Sequence, residues 1–118
     1  MIDETPKIDN ENKGYILLRD RRIPEFNSMH EKGMIDANLS GLSFRAFDLR
    51  RLIADSLDFS NCRFKQTDVR GVNFANANLE GVSFYGAKIS GAFFPPEFSA
   101  SEILLSVTHG TRLRKSSV

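Results

Sequence analysis

From Ala37 onward, apolar and polar positions recur with a period of five. Written in fives, the stretch reads ANLSG, LSFRA, FDLRR, LIADS, LDFSN, CRFKQ, TDVRG, VNFAN, ANLEG, VSFYG, AKISG, AFFPP. The third residue is apolar in all twelve units, from Leu39, Phe44 and Leu49 through to Ile89 and Phe94. The first is apolar in eleven, Thr67 being the exception. The second is mostly Asn, Asp or Ser, and the fifth is often Gly, Asn or Ser. A period of five fits neither an α-helix nor a flat strand. It fits a chain that turns two side chains inward and then rounds a corner, using residues that tolerate turn dihedrals. Four corners close a square of twenty residues. Squares then stack, with backbone hydrogen bonds between them at the strand spacing of ~4.8 Å. One such coil cannot bury its own core, whereas a stack can. The pattern therefore predicts an all-β solenoid, a parallel β-helix of about three coils over residues 37–96.

These residues resemble the pentapeptide repeat proteins, whose consensus runs Ala-(Asp/Asn)-Leu-x-x. Ala37-Asn38-Leu39 and Ala77-Asn78-Leu79 match it outright, and Val72-Asn73-Phe74 matches with tolerated variants. The resemblance covers about half the chain and implies a right-handed quadrilateral β-helix. Phe47 is large for a first position and Ala54 small for a centre; Leu42, Leu52 and Leu57 are also oversized. The first coil is thus expected to be reshaped against a cap.

Both ends carry cap signals, as an open solenoid requires. After Pro95-Pro96, Ser99 reads as an N-cap with Glu102 as its capping-box partner, and Phe98 and Ile103 form a hydrophobic staple. A helix is predicted from about Ala100 to His109, with Gly110 closing it. Thr111 to Lys115 is expected to be an exposed basic tail. At the other end, Pro24 opens a short helix that Gly33 ends. Tyr15 to Leu18 is expected to be extended, and residues 1 to about 12, polar and acidic, to be flexible. The predicted organisation is a flexible acidic N-terminus and cap over 1–36, the repeats over 37–96, and a capping helix with basic tail over 97–118. The flanks also resemble a group of short bacterial pentapeptide proteins through Phe94-Pro95, Ser99 to Ile103 and His109 to Arg114. That resemblance brings no biochemical activity with it.

Composition narrows the function. The 118 residues carry a formal charge of +1, which excludes both a strongly acidic chain and a uniformly basic nucleic-acid coat. Eight of the ten phenylalanines fall within 37–96, and the repeat places all of these but Phe93 at inward positions. No apolar run approaches the ~20 residues needed to span a bilayer, so no membrane insertion is expected. The first dozen residues lack a basic-then-apolar signal, and a cytoplasmic location is expected. The one cysteine, Cys62, can form no internal disulfide and falls at an inward position, where it reads as a small buried hydrophobe. His30 and His109 lie in opposite caps, and the serines lack a neighbouring histidine. The glycines recur at turn spacing rather than as a phosphate loop. No catalytic constellation, metal set or cofactor site emerges, and the reading is that the chain is not an enzyme.

The outward positions sort into four faces. The first, with Asn38, Asp58, Asn78, Ser40, Ser60 and Glu80, is bland. The second carries Arg45, Arg63, Lys65 and Tyr85. The third carries Asp48, Asp68, Lys88, Arg50, Arg51 and Arg70. Over 37–96 there are seven basic and five acidic residues, and all seven basic ones lie on these two adjacent faces. They read either as solvated faces, with Asp48 and Asp68 neutralised by the arginines beside them, or as a docking surface for an acidic partner. The fourth face has Ile53, Ala75 and Phe93, two of them large apolar residues at positions that should be polar. Cover of Ile53 by Tyr15 to Leu18 and of Phe93 by the C-terminal helix is expected, with a dimer through this face as the competing arrangement. The preferred function is a non-enzymatic protein-interaction module, a small rigid scaffold with an unidentified protein partner, present as a monomer or weak homodimer. The alternatives are the DNA mimicry toward gyrase that the family resemblance implies, and direct nucleic-acid binding. Mimicry needs a longer, acidic rod, and nucleic-acid binding needs stacking aromatics beyond the lone Tyr85.

Overall fold

The computed structural model describes residues 8–116. The period of five has a hydrogen-bond explanation, visible in the unit Thr67-Asp68-Val69-Arg70-Gly71. Thr67 N–H donates back to Phe64 O (3.2 Å), closing the preceding corner. Asp68 N–H donates down to Phe47 O (2.9 Å), while Val69 and Gly71 donate up to Lys88 O (3.0 Å) and Ser90 O (3.0 Å). That leaves the Arg70 N–H, which the Asp68 Oδ1 accepts at 3.2 Å. Every donor in the unit has a partner, as buried backbone requires. The same side-chain bond recurs from Asn38 to Ser40, Asp48 to Arg50, Asp58 to Ser60, Asn73 to Ala75 and Asn78 to Glu80. Asn or Asp stands at the second position because its short side chain reaches the donor that the backbone pattern leaves over.

Parallel bridges join residues twenty apart: Asn38 to Asp58 to Asn78, Ser43 to Arg63 to Ser83, Asp48 to Asp68 to Lys88, and Ile53 to Asn73 to Phe93. They are single bridges separated by corners, and they build a β-helix solenoid. The fifth position has positive φ at each unit from Gly41 to Gly91 except Asn76. Ala46 (φ 62°) and Arg51 (φ 72°) hold this conformation without being glycine. It is the third residue of a type II-like turn, where a Cβ is strained. Gly71 occupies the same place, and a Cβ there would meet nothing within 4 Å. Gly71→Ala should therefore cost about 1 kcal/mol through backbone strain alone, and Ala46→Gly should gain up to about 1 kcal/mol. Urea unfolding of both variants checks this, and the two shifts should have opposite signs.

The first and third positions form the core. Phe44, Phe64 and Phe84 stack along it, with ring centroids 5.2 Å and 5.1 Å apart, and Phe59 and Phe74 pack against the column. Thr67, the polar exception, is buried, and its hydroxyl donates to Phe44 O at 2.7 Å.

Three helices flank the stack: α1 (Lys13–Arg19), α2 (Ile23–Glu31) and α3 (Ala100–His109). Tyr15 to Leu18 is thus helical, not extended. The Asn12 side chain caps α1 by accepting Tyr15 N–H. Gly14, Tyr15, Leu17 and Leu18 are all buried, so no amphipathic stripe betrays the helix. A Cβ on Gly14 would stand 3.1 Å from the Phe26 ring of α2, which is how closely the two helices approach. The flexible N-terminus expected over residues 1–12 lies outside the described residues as far as residue 7; beyond it the chain is tied. Asp9 Oδ1 accepts Glu11 N–H, and Asn10 accepts from Arg19.

The caps supply hydrogen bonds as well as apolar cover. At the N-terminal end, Tyr15 packs 5.4 Å from both Phe44 and Phe47, and its hydroxyl donates to Ser43 O at 2.6 Å. Asn27 donates to Arg51 O and accepts Ile53 N–H, and His30 Nε2 donates to Asp55 O at 2.8 Å. These side chains replace the coil that would otherwise lie beneath. At the C-terminal end Ser99 caps α3 by accepting Glu102 N–H, and Gly110 closes it at φ 76°. The Glu102 carboxylate reaches forward to Arg114 N–H at 3.1 Å. Ser106 Oγ accepts Phe84 N–H (2.8 Å), and Val107 O accepts Gly86 N–H. The segment Thr111 to Lys115 is mostly exposed, as expected, but Leu113 within it is not. Leu113 is buried and exchanges backbone bonds with Gly81 and Val82, so the chain after α3 begins another layer. Among the described residues, no helix is long and apolar enough to cross a membrane.

Candidate interaction surface

The two basic faces differ. On the third face Arg50 and Arg70 each grip the aspartate two residues before them. Arg50 Nε and Nη2 donate to Asp48 at 3.0 and 2.8 Å, and Arg70 repeats this on Asp68 at 3.0 and 2.7 Å. Arg50 also lies 3.4 Å from Asp68, so the charges alternate up the face. The arginine hydrogen bonds are the main reason the Asp48 carboxyl is lowered to about 2 and Asp68 is lowered as well. Lys88 sits above Asp68 in the same column, and Arg51 lies at the exposed corner beside Arg50.

The sign of the pH effect follows. A carboxyl lowered on folding stabilises fully above its unfolded value of ~3.9 and loses that contribution as pH falls toward the folded value. Asp48→Asn and Asp68→Asn keep the backbone-capping oxygen and remove the charge. Each should cost less than ~1 kcal/mol at pH 6, because the pairs face water and are screened. The gap from wild type should close between pH 4 and about 2. Urea unfolding at pH 6 and near pH 2 measures both ends.

On the second face, among the described residues, no Asp or Glu lines the cleft. Arg45 and Lys65 follow one another in adjacent coils, joined by the Ala46 N–H to Lys65 O bond, and Tyr85 comes next through Gln66 N–H to Tyr85 O. Lys65 Nζ lies 5.9 Å over the Tyr85 ring. Arg63 stands between Ser43 and Ser83 in the parallel column alongside. These six residues line a cleft of about 580 Å³ whose remaining wall is Thr108, His109 and Gly110. The structure thus brings Arg45, Arg63, Lys65 and Tyr85 into one concavity, apart from Arg50, Arg51, Arg70 and Lys88. Arg50 and Arg51 border a second, smaller hollow with Arg21, Ile23, Pro24 and Asp48.

The wall from α3 is absent from the sequence reading. Its signal was present in Gly110. A Cβ there would stand 3.3 Å from Tyr85 Cβ, so the end of α3 lies close against the second face. Ser83, outward by the repeat, is buried for the same reason, its hydroxyl donating to Gly110 O at 3.0 Å.

The fourth face corrects the expected cover. Ile53 is 55% exposed and Phe93 65% exposed. α1 sits over the end of the Phe column and not beside Ile53; α2 reaches the Ile53 backbone through Asn27 but leaves its side chain in water. α3 binds along Phe84 and Gly86, away from Phe93. Asn73 lies between Ile53 and Phe93 in the column and Ala75 is half-buried beside it, so the two apolar side chains do not merge.

Cys62 is fully buried, its thiol donating to Leu39 O at 2.9 Å. Burial pushes it up to about 12, so it stays a thiol.

No curated protein and no solved structure matches the chain. The family model for pentapeptide repeats matches residues 58–94, in eight copies. Residues 37–57, with the oversized Leu42, Phe47, Leu52 and Leu57, fall outside the match, although the bridges there keep the same register. Repeat, register and match agree that residues 58–94 are pentapeptide repeats.

Proposed function

We propose that the chain is a non-enzymatic protein-interaction module that docks an acidic partner through its second face. We read it as a right-handed, four-sided β-helix of about three coils over 37–96, between a cap within 1–36 and a closing segment over 97–118, working in the cytoplasm without a cofactor. The observation that carries this is the contrast between neighbouring faces. On the third, arginines are spent on aspartates of their own chain. On the second, Arg45 and Lys65 succeed one another beside a cleft that no Asp or Glu among the described residues lines. Stacked like charges are unfavourable, and an acidic partner relieves them. The same sign argues against a duplex mimic, and one exposed tyrosine argues against a single-strand platform. The test is charge reversal. Arg45→Glu with Lys65→Glu should abolish capture of the partner in a pull-down, while Lys88→Glu on the third face should preserve it. Equal loss from both would remove the second face from consideration.

A further inference from the structure

The cleft on the second face is more specific than a basic patch, and we infer that it takes a phosphate monoester carried on the partner protein. This rests on the docking reading above and narrows it to one chemistry. Arg45 and Lys65 project from adjacent coils of one column, about one strand spacing apart, ~4.8 Å at the backbone. Arg63 stands in the next column between two serines. Arg45 and Lys65 therefore reach the cleft from separate coils and do not form one planar fork. A carboxylate offers two oxygens in one plane. A phosphate monoester offers three acceptor oxygens and a charge of about −1.5 to −2, which suits donors arriving from several directions.

The neutral groups have the same character. Ser43 Oγ accepts Arg45 N–H at 3.4 Å, which leaves its own O–H to donate. Thr108 and Tyr85, which also line the cleft, carry hydroxyl groups. Ser83 is committed to Gly110 O and serves to hold the α3 wall in place. The cleft is open to solvent, so the phosphate can arrive on a segment of a partner.

The experiment compares four probes by fluorescence anisotropy on the full chain: a phosphoserine peptide library, the same library with glutamate at that position, inorganic phosphate as competitor, and a DNA duplex. The phosphoserine library should bind about tenfold or more tightly than the glutamate library. Inorganic phosphate should compete only weakly. Arg45→Gln and Lys65→Gln are exposed changes and should each lose about tenfold in phosphopeptide affinity with the circular dichroism unchanged, whereas Lys88→Gln should not. Equal binding of both libraries overturns the phosphate inference and leaves the acidic-docking reading standing. Binding of neither overturns both. Inorganic phosphate that competes as tightly as the peptide would make this a small-ion site, and preference for the duplex a nucleic-acid site; either result overturns the inference.

Discussion

Phe64→Ala is expected to cost about 3–5 kcal/mol, the largest loss of any single substitution in the repeats. Phe64 is fully buried, with ring centroids 5.2 Å from Phe44 and from Phe59 and 5.1 Å from Phe84. Its removal leaves a hole in the middle of the column, bounded above and below by rings fixed to a hydrogen-bonded backbone that cannot collapse inward. A domain of this size holds only ~5–15 kcal/mol in total, so a large fraction of its stability should vanish. Arg70→Ala is the comparison. It should cost well under ~1 kcal/mol, because the pair is exposed and Asp68 keeps Arg50 at 3.4 Å. Equal losses in urea unfolding would contradict the inward and outward assignment of the whole repeat.

Deleting residues 99–118 should convert the protein to self-associating material by light scattering, with bound hydrophobic dye and a lowered melting point. The deletion strips the partners from Gly81, Phe84 and Gly86 N–H in one step, and uncovers Leu79, Val82 and Phe84, which are fully buried in the intact chain. Unpaired strand donors beside exposed apolar rings are a template for association. Ser106→Ala separates the polar part from the apolar part. It keeps α3 and leaves Phe84 N–H buried without a partner, at about 1–3 kcal/mol. A truncated chain that stayed monomeric and equally stable would make α3 an appendage.

The repeat was legible because its signal is repetitive: each inward position is reinforced by its neighbours five and twenty residues away. None of the first or third positions from Ala37 to Phe94 is exposed. α3 was legible for a different reason, since Pro96, Ser99 and Gly110 are local punctuation whose meaning does not depend on tertiary context. The missed features have no period and no punctuation. α1 is buried on most sides, so its apolar run reads as a strand. Asn27, His30 and Ser106 bind solenoid backbone, and a single polar residue bonded to backbone leaves no pattern in the sequence. The cleft shares this limitation. The repeat places Arg45, Lys65 and Tyr85 in one column, but the wall of Thr108, His109 and Gly110 comes from an element whose docking position the period of five does not encode.

The twenty-residue register has an evolutionary corollary. Each bridge joins a residue to its counterpart one full coil away. Losing or gaining a single unit of five would turn everything beyond it by a quarter revolution. Arg70 would no longer stand over Arg50 and Asp48, and the donors that α3 and Leu113 cover would face a different side of the stack. Only insertions of whole coils leave both end pieces facing their present partners. Lineages of this protein should therefore differ in length by multiples of twenty residues within the repeats, while the two ends vary little in size.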